Sequence, residues 1–254
     1  LLKASNTEYI FSRRHDETLN PIGKNITKEC LANAQQIAQK FAALYLCQDG
    51  LPIEKSSLYL FKVDGIIAHE YQNRMLYTLC VPGGYYWSNE NSRVNWTSDA
   101  ADKASASIKG YSPANGSGYA NQKWAAERKV QTNSEGYDYP VIRYADVILM
   151  YAEALNQNGK TAEACKYLNM TRRRGFGYQT TETSPVDLQT TDKAQFALMV
   201  EQERRVELAF ENHRWFDLIR TGRAVEVMKS KGFSLNETNL ICPIPQKQID
   251  VNPK

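Results

Sequence analysis

Apolar residues recur at three- and four-residue steps in the second half of the chain, and each such stretch predicts a helix with one buried face. From Arg143 to Asn156 the stripe is Val147, Ile148, Tyr151, Ala152 and Leu155, the pattern of a helix packed along one side. Asn158-Gly159 ends it, and Thr161 stands where a cap would open a second helix from Ala162 to about Arg173. Two helices joined by so short a turn lie antiparallel, the geometry of a single tetratricopeptide-like hairpin. Asp192 is placed to cap a further helix, with Gln195 at the reciprocal capping-box position and Phe196, Met199, Val200, Val206 and Phe210 on the apolar side. A break near Asn212 separates it from Trp215–Ile219 and Ala224–Met228, with Gly222 at the bend between those two.

The first half is less regular. Glu8–Ser12 reads as a short strand, followed by a polar loop of Arg13, Arg14, His15 and Asp16 that Pro21 and Gly23 close. Thr27–Leu46 carries Leu31, Ala34, Ile37, Ala38, Phe41, Ala42 and Tyr45 at helical steps, and a weaker helical pattern covers Ile66–Leu76. From Val81 to Gly136 the chain is rich in Ser, Asn, Gly and aromatic residues without a helical period, which predicts irregular loops. The end, Leu240–Pro253, holds Pro243, Pro245 and Pro253 and reads as an extended tail. The expected fold class is mainly α: a helical-hairpin scaffold with long irregular loops and minor short β structure.

Composition narrows the function classes. The 254 residues, 42% of them hydrophobic, suffice for one large core or two modest ones. The 31 basic and 28 acidic side chains leave a net charge of +3, and the run Arg172–Arg174 is too short for a nucleic-acid footprint. Those three arginines read as a solvated helix end, where cations oppose the carboxyl-terminal dipole. The five cysteines, Cys30, Cys47, Cys80, Cys165 and Cys242, show no C-x-x-C pair and no histidine cluster of the kind zinc needs. No metal or other cofactor is expected, and Cys165 reads as a small buried hydrophobe within its helix. No stretch is long and apolar enough to cross a bilayer, and the start lacks a signal-peptide profile. The protein is therefore expected to be cytoplasmic or to have an export segment absent from this chain.

The segment Glu203–Gly222 carries the most information. Its charges recur among large apolar residues at spacings a solvated helix does not need, which predicts that several are held inside. Glu203 and Glu207 share a helix face, and Arg204 lies three residues from Glu207, so a local pair is possible; Arg214, Asp217 and Arg220 repeat the arrangement. A buried charge persists only when paired, because unpaired desolvation costs several kcal/mol.

Several strings agree in order with one family. Arg143–Asn156, RYADVILMYAEALN, resembles the tetratricopeptide helix of the SusD/RagB family of outer-membrane nutrient-binding lipoproteins, and Glu203–Gly222 resembles that family's second signature. Cys242-Pro243-Ile244-Pro245 with Asn252-Pro253 is similar to its closing tail, and Glu8–Ser12 and Asp49–Ile53 are similar as well. The resemblance covers most of the chain and is strongest from Tyr139 onward. It implies a single SusD-like domain over residues 1–254, with a loop-rich, ligand-facing part at 1–138 and a helical signature part at 139–254. The family's amino-terminal helices, signal peptide and lipidated cysteine have no counterpart here. The implied protein is lipid-anchored at the outer-membrane surface, captures glycans or, in some members, peptides, and hands them to a SusC-like TonB-dependent barrel without catalysis.

A glycan site needs exposed aromatic planes for the apolar faces of sugar rings, flanked by groups that meet hydroxyls. Tyr85, Tyr86, Trp87 and Trp96 supply the planes, beside Asn89, Asn91, Arg93 and Asn95. Arg13 and His15, in the earlier loop, are a second candidate; Trp124 and Trp215 are placed in the core. The competing class is a glycoside hydrolase, which needs two facing carboxylates. Glu203, Glu207, Glu211 and Asp217 are available, but neighbouring arginines depress carboxyl pKa values, whereas a general acid needs its own raised.

Overall fold

The stripe at 143–156 becomes one helix of an antiparallel pair, and helices carry the architecture of the described residues. The computed structural model describes residues 6–23, 36–52, 54–58, 60–62, 65–67, 73–80, 85–86, 89–93, 119–124, 135–241 and 244–251. In chain order the elements are β1 (Tyr9–Arg13), β2 (Gln36–Ile37), α1 (Gln39–Ala42), β3 (Leu60–Lys62), β4 (Gly65–Ile67), α2 (Asn73–Thr78), β5 (Leu79–Cys80), β6 (Tyr85–Tyr86) and β7 (Asn89–Arg93). They continue with β8 (Tyr119–Asn121), β9 (Tyr139–Arg143), α3 (Tyr144–Gln157), α4 (Thr161–Phe176), α5 (Lys193–Glu207), α6 (His213–Arg220), α7 (Ala224–Ser230), a 3-10 turn (Glu237–Leu240) and α8 (Gln246–Val251). The chain divides into two compact units, Leu1–Glu207 and Leu208–Lys254.

In the first unit, α3 and α4 form the expected hairpin, and α5 packs on both. Leu149, Ala152 and Leu155 meet Ala164, Cys165 and Leu168, and Phe196 and Val200 of α5 close the cluster. Burying side chains of this size contributes about 1.5–3 kcal/mol each for the larger ones. The turn is made by Gly159 at φ +77°, a left-handed backbone that glycine adopts without strain. Lys160 N–H then reaches back to the Leu155 carbonyl at 2.9 Å. Thr161 is not the cap. Lys160 holds that position without a side-chain bond, and the Thr161 hydroxyl donates to Asn156 Oδ1 at 2.8 Å, tying the two helices together. At the start of α5, Asp192 Oδ1 accepts from Gln195 N–H at 2.7 Å, as expected. The reciprocal bond is replaced: Gln195 Oε1 accepts from the Thr190 hydroxyl, and that hydroxyl oxygen receives the Asp192 N–H.

The amino-terminal part departs from the helical reading. Within Thr27–Leu46, residues 27–35 lie outside the described residues, and the remainder holds β2 and only the short α1. Ile37 is a strand residue because it pairs with Tyr119 of β8, and β8 also pairs with β5 to give a three-stranded sheet, β2-β8-β5. The Ile66–Leu76 pattern likewise resolves into β4 and α2. β1 is the expected strand; it runs antiparallel to β9 with two register shifts and aligns Phe11 with Ile142 and Arg13 with Tyr139.

In the second unit, Asn212 at φ +65° opens α6, and Gly222 at φ +69° makes the bend before α7. Trp215 and Phe216 are 39% and 66% exposed, so Trp215 is not a core residue. The closing segment is not wholly extended: α8 begins directly after Pro245, where a proline withholds no hydrogen bond that the helix needs. No helix among the described residues is long and apolar enough to cross a membrane.

Candidate functional site

The charges of α5 are paired inside the first unit, through partners far away in sequence. Arg74 of α2 reaches Glu203 Oε1 at 2.5 Å and Glu207 Oε2 at 2.9 Å. Glu207 Oε1 also receives Arg143 at 2.8 Å and Arg174 at 2.5 Å. Its backbone carbonyl accepts from Arg143 and from Lys123 Nζ, each at 2.8 Å. Glu8, just before β1, extends the network: it bridges Arg143 and Arg174, and its Oε1 accepts the Ala145 N–H in the first turn of α3. A carboxylate there also faces the positive end of that helix. Arg204 does not pair with Glu207 on its own helix; it crosses to Asp146 of α3 at 2.8 Å, both groups buried.

Burial alone would push the Glu207 carboxyl upward, but the guanidiniums of Arg143, Arg74 and Arg174 and the Lys123 ammonium outweigh it and hold it well below the usual carboxylate range. Burial would lower Arg74, and Glu203 and Glu207 reverse that and raise it. This is the opposite of what a general acid requires. The cluster is a lock that fastens α2, β1, β9, α4 and α5, and its carboxylates are already engaged.

Arg172–Arg174 are not a solvated helix end. Arg172 is buried, donates to the Val186 carbonyl, and lies over the Phe176 ring at 5.1 Å from its centroid. Arg173 is buried against Asp187, whose carboxyl is lowered chiefly by the Arg173 hydrogen bonds. Only Arg174 is exposed, and it still pairs with Glu8 and Glu207. Arg74 was invisible to sequence pattern because it lies in the ambiguous 66–76 stretch; Gly175, a glycine inside a helix, was the available signal for something packed closely there.

Of the predicted site residues, Tyr85, Tyr86, Asn89, Asn91 and Arg93 fall in one antiparallel hairpin. Tyr85 and Tyr86 form β6, Asn89 and Arg93 lie in β7, and the register pairs Tyr85 with Arg93 and Tyr86 with Asn89. Trp87 and Trp96 lie outside the described residues. Arg13 and His15 sit at and just after the end of β1. His15 N–H donates to Asp138 Oδ1 at 3.0 Å, and its ring Nδ1 is 3.3 Å from the Asn20 carbonyl oxygen. Near them Trp124 is half-buried and stacked with Tyr139 (centroids 5.5 Å, 13° between planes) and Tyr137 (6.0 Å, 28°), a grouping that sequence reading did not make.

A tetratricopeptide-like hairpin locked by buried ion pairs, with aromatic and amide residues set on a β-hairpin, defines a helical scaffold. The chain belongs to the SusD family, whose family model matches residues 4–254. SusD-like protein P38 of Formosa agariphila is 38% identical over 115 residues, which cover 45% of this chain and 23% of that protein. A SusD-like carbohydrate binding protein from Bacteroides fragilis is 25% identical with a TM-score of 0.65, over 88% of this chain and 43% of its own. Surface glycan-binding protein A from Bacteroides thetaiotaomicron, 22% identical, shares the fold with a TM-score of 0.50 over 96% of this chain and 50% of its own. The chain thus spans half or less of each solved relative.

Proposed function

We propose that the protein is a non-catalytic glycan-capturing protein of the cell surface, a single SusD-like domain that delivers oligo- or polysaccharides to a TonB-dependent outer-membrane barrel. The observation that carries this reading is the β6–β7 hairpin, which brings Tyr85, Tyr86, Asn89 and Arg93 to adjacent register positions in a chain of the SusD family. Tyrosines offer planes to pyranose rings, and amide and guanidinium groups meet the hydroxyl rim. Trp87 and Trp96 belong to the same proposed site by sequence. The Bacteroides relatives, a carbohydrate binding protein and a surface glycan-binding protein, support the ligand class. The engaged state of Glu203 and Glu207 supports binding over hydrolysis. Calorimetry and product analysis with the purified protein test the reading. Retention of oligosaccharides without shortening is expected; steady release of shorter sugars would sink it. Co-purification with an outer-membrane barrel, from cells that make both, tests delivery.

A further inference from the structure

Among the arginines whose side chains are described, almost all are partnered. Arg74, Arg143, Arg172, Arg173, Arg174, Arg204, Arg220 and Arg223 form ion pairs, and Arg205 and Arg214 hold other interactions. Arg13 and Arg14 are the exception: adjacent, both exposed, and with guanidiniums that meet no carboxylate among the described residues. Two neighbouring like charges that meet no carboxylate among the described residues are suited to an external anion.

The loop that carries them is rigidly built. Asp16 and Asn20 exchange backbone bonds at 3.0 and 3.2 Å, and the Asn20 amide donates to the Arg14 carbonyl at 2.9 Å. Ile22 N–H reaches the Glu135 carbonyl at 2.8 Å. Gly136 lies so close that a Cβ there would stand 2.3 Å from the Glu17 nitrogen. Of the nearby carboxylates, Asp138 accepts from His15 N–H and is buried, as is Glu135, whereas Asp16, whose Oδ1 accepts from Thr18 and Leu19 N–H, and Glu17 are exposed.

Beside Arg13 stands the aromatic column. Arg13 is directly across the ribbon from Tyr139, so the two share a sheet face at neighbouring distance, and Tyr139 stacks on Trp124, which stacks in turn on Tyr137. A guanidinium meets carboxylate or sulfate with a planar fork of donors, and a half-buried aromatic column meets the apolar face of a sugar ring. We propose that Arg13, beside the Tyr137–Trp124–Tyr139 column, and Arg14, next to it in the chain, form a second subsite that takes an anionic sugar, a glycan bearing uronate carboxylates or sulfate esters. This inference rests on the glycan-capture reading and adds a charge preference to it.

The test is calorimetry with matched oligosaccharide pairs: sulfated members against their desulfated counterparts, and uronates against their carboxyl-reduced counterparts. Wild type is expected to bind at least one anionic member about tenfold or more tighter than its neutral counterpart, a difference of about 1.4 kcal/mol. That preference should shrink as salt rises from about 50 to about 500 mM. The double variant R13Q/R14Q should lose the preference without a change in melting temperature, both side chains being exposed. The sulfated and uronate arms identify which anion is read. Glycan binding with no anionic preference in any pair, or a preference that survives in R13Q/R14Q, overturns the subsite while leaving glycan capture intact. Absence of binding to every glycan tested overturns both.

Discussion

Gly175 has no side chain because Arg74 occupies its place: a Cβ on Gly175 would stand 2.8 Å from Arg74 Cζ and 3.0 Å from its Nε. Arg74 in turn is the cation shared by Glu203 and Glu207. Glycine in a helix interior gives up about 1 kcal/mol against alanine, and here that loss makes room for the centre of the ion network.

Gly175→Ala is therefore expected to destabilise the protein, against helix propensity, by roughly 1–3 kcal/mol, the range for overpacking a well-filled site. Denaturant unfolding reads this directly. A gain in stability would mean that the Arg74 guanidinium shifts freely.

Arg204→Ala leaves Asp146 buried without its cation, and a loss of roughly 3–5 kcal/mol is expected. Replacing this pair with apolar residues of similar size, Arg204→Met with Asp146→Leu, should recover part of it, because the Asp146 charge is then not stranded. An unchanged melting temperature in the single variant contradicts the buried-pair assignment.

Stability should fall on the acid side. Glu207 is held well below its ordinary value of 4.5 and Asp187 below its ordinary 3.8. Depressed carboxyls contribute stability that is fully present above those ordinary values. Below them the unfolded chain takes up protons first, so the contribution declines with falling pH until the folded groups protonate. Melting temperature should hold level down to about pH 5 and drop below about 4.5, and the drop should be smaller in Asp187→Asn.

At the proposed hairpin site, Trp87→Ala combined with Trp96→Ala should weaken glycan binding by about 1–3 kcal/mol, a range typical of aromatic anchors, with the melting temperature preserved. Affinity equal to wild type would remove the site from this part of the chain.

Helices with strong periodicity were legible from local residues. Tyr144–Gln157 and Thr161–Phe176 appear where the stripe and Gly159 place them, and Asp192 caps Lys193–Glu207, because periodicity, glycine torsion and capping act over a few residues. Ile37 went the other way: its helical spacing was overridden by pairing with Tyr119, 82 positions further on (119 minus 37). The β6–β7 hairpin was not legible because β7, Asn-Glu-Asn-Ser-Arg, is polar throughout and offers no apolar alternation. Trp215 shows that a large aromatic residue in an apolar string need not be covered.

Sequence alone determined the family, the helical hairpin and the fact that charges in Glu203–Gly222 would be buried, since each depends on residue type and short spacing. Tertiary structure decided the partners. Arg204 chose Asp146 over Glu207, and Glu203 and Glu207 took Arg74 from more than a hundred residues away. A desolvated carboxylate is satisfied by whichever guanidinium the packed elements bring within 3 Å, and that meeting exists only once α2, α3 and α5 are in place. The same packing engaged almost every other described arginine and left Arg13 and Arg14 open.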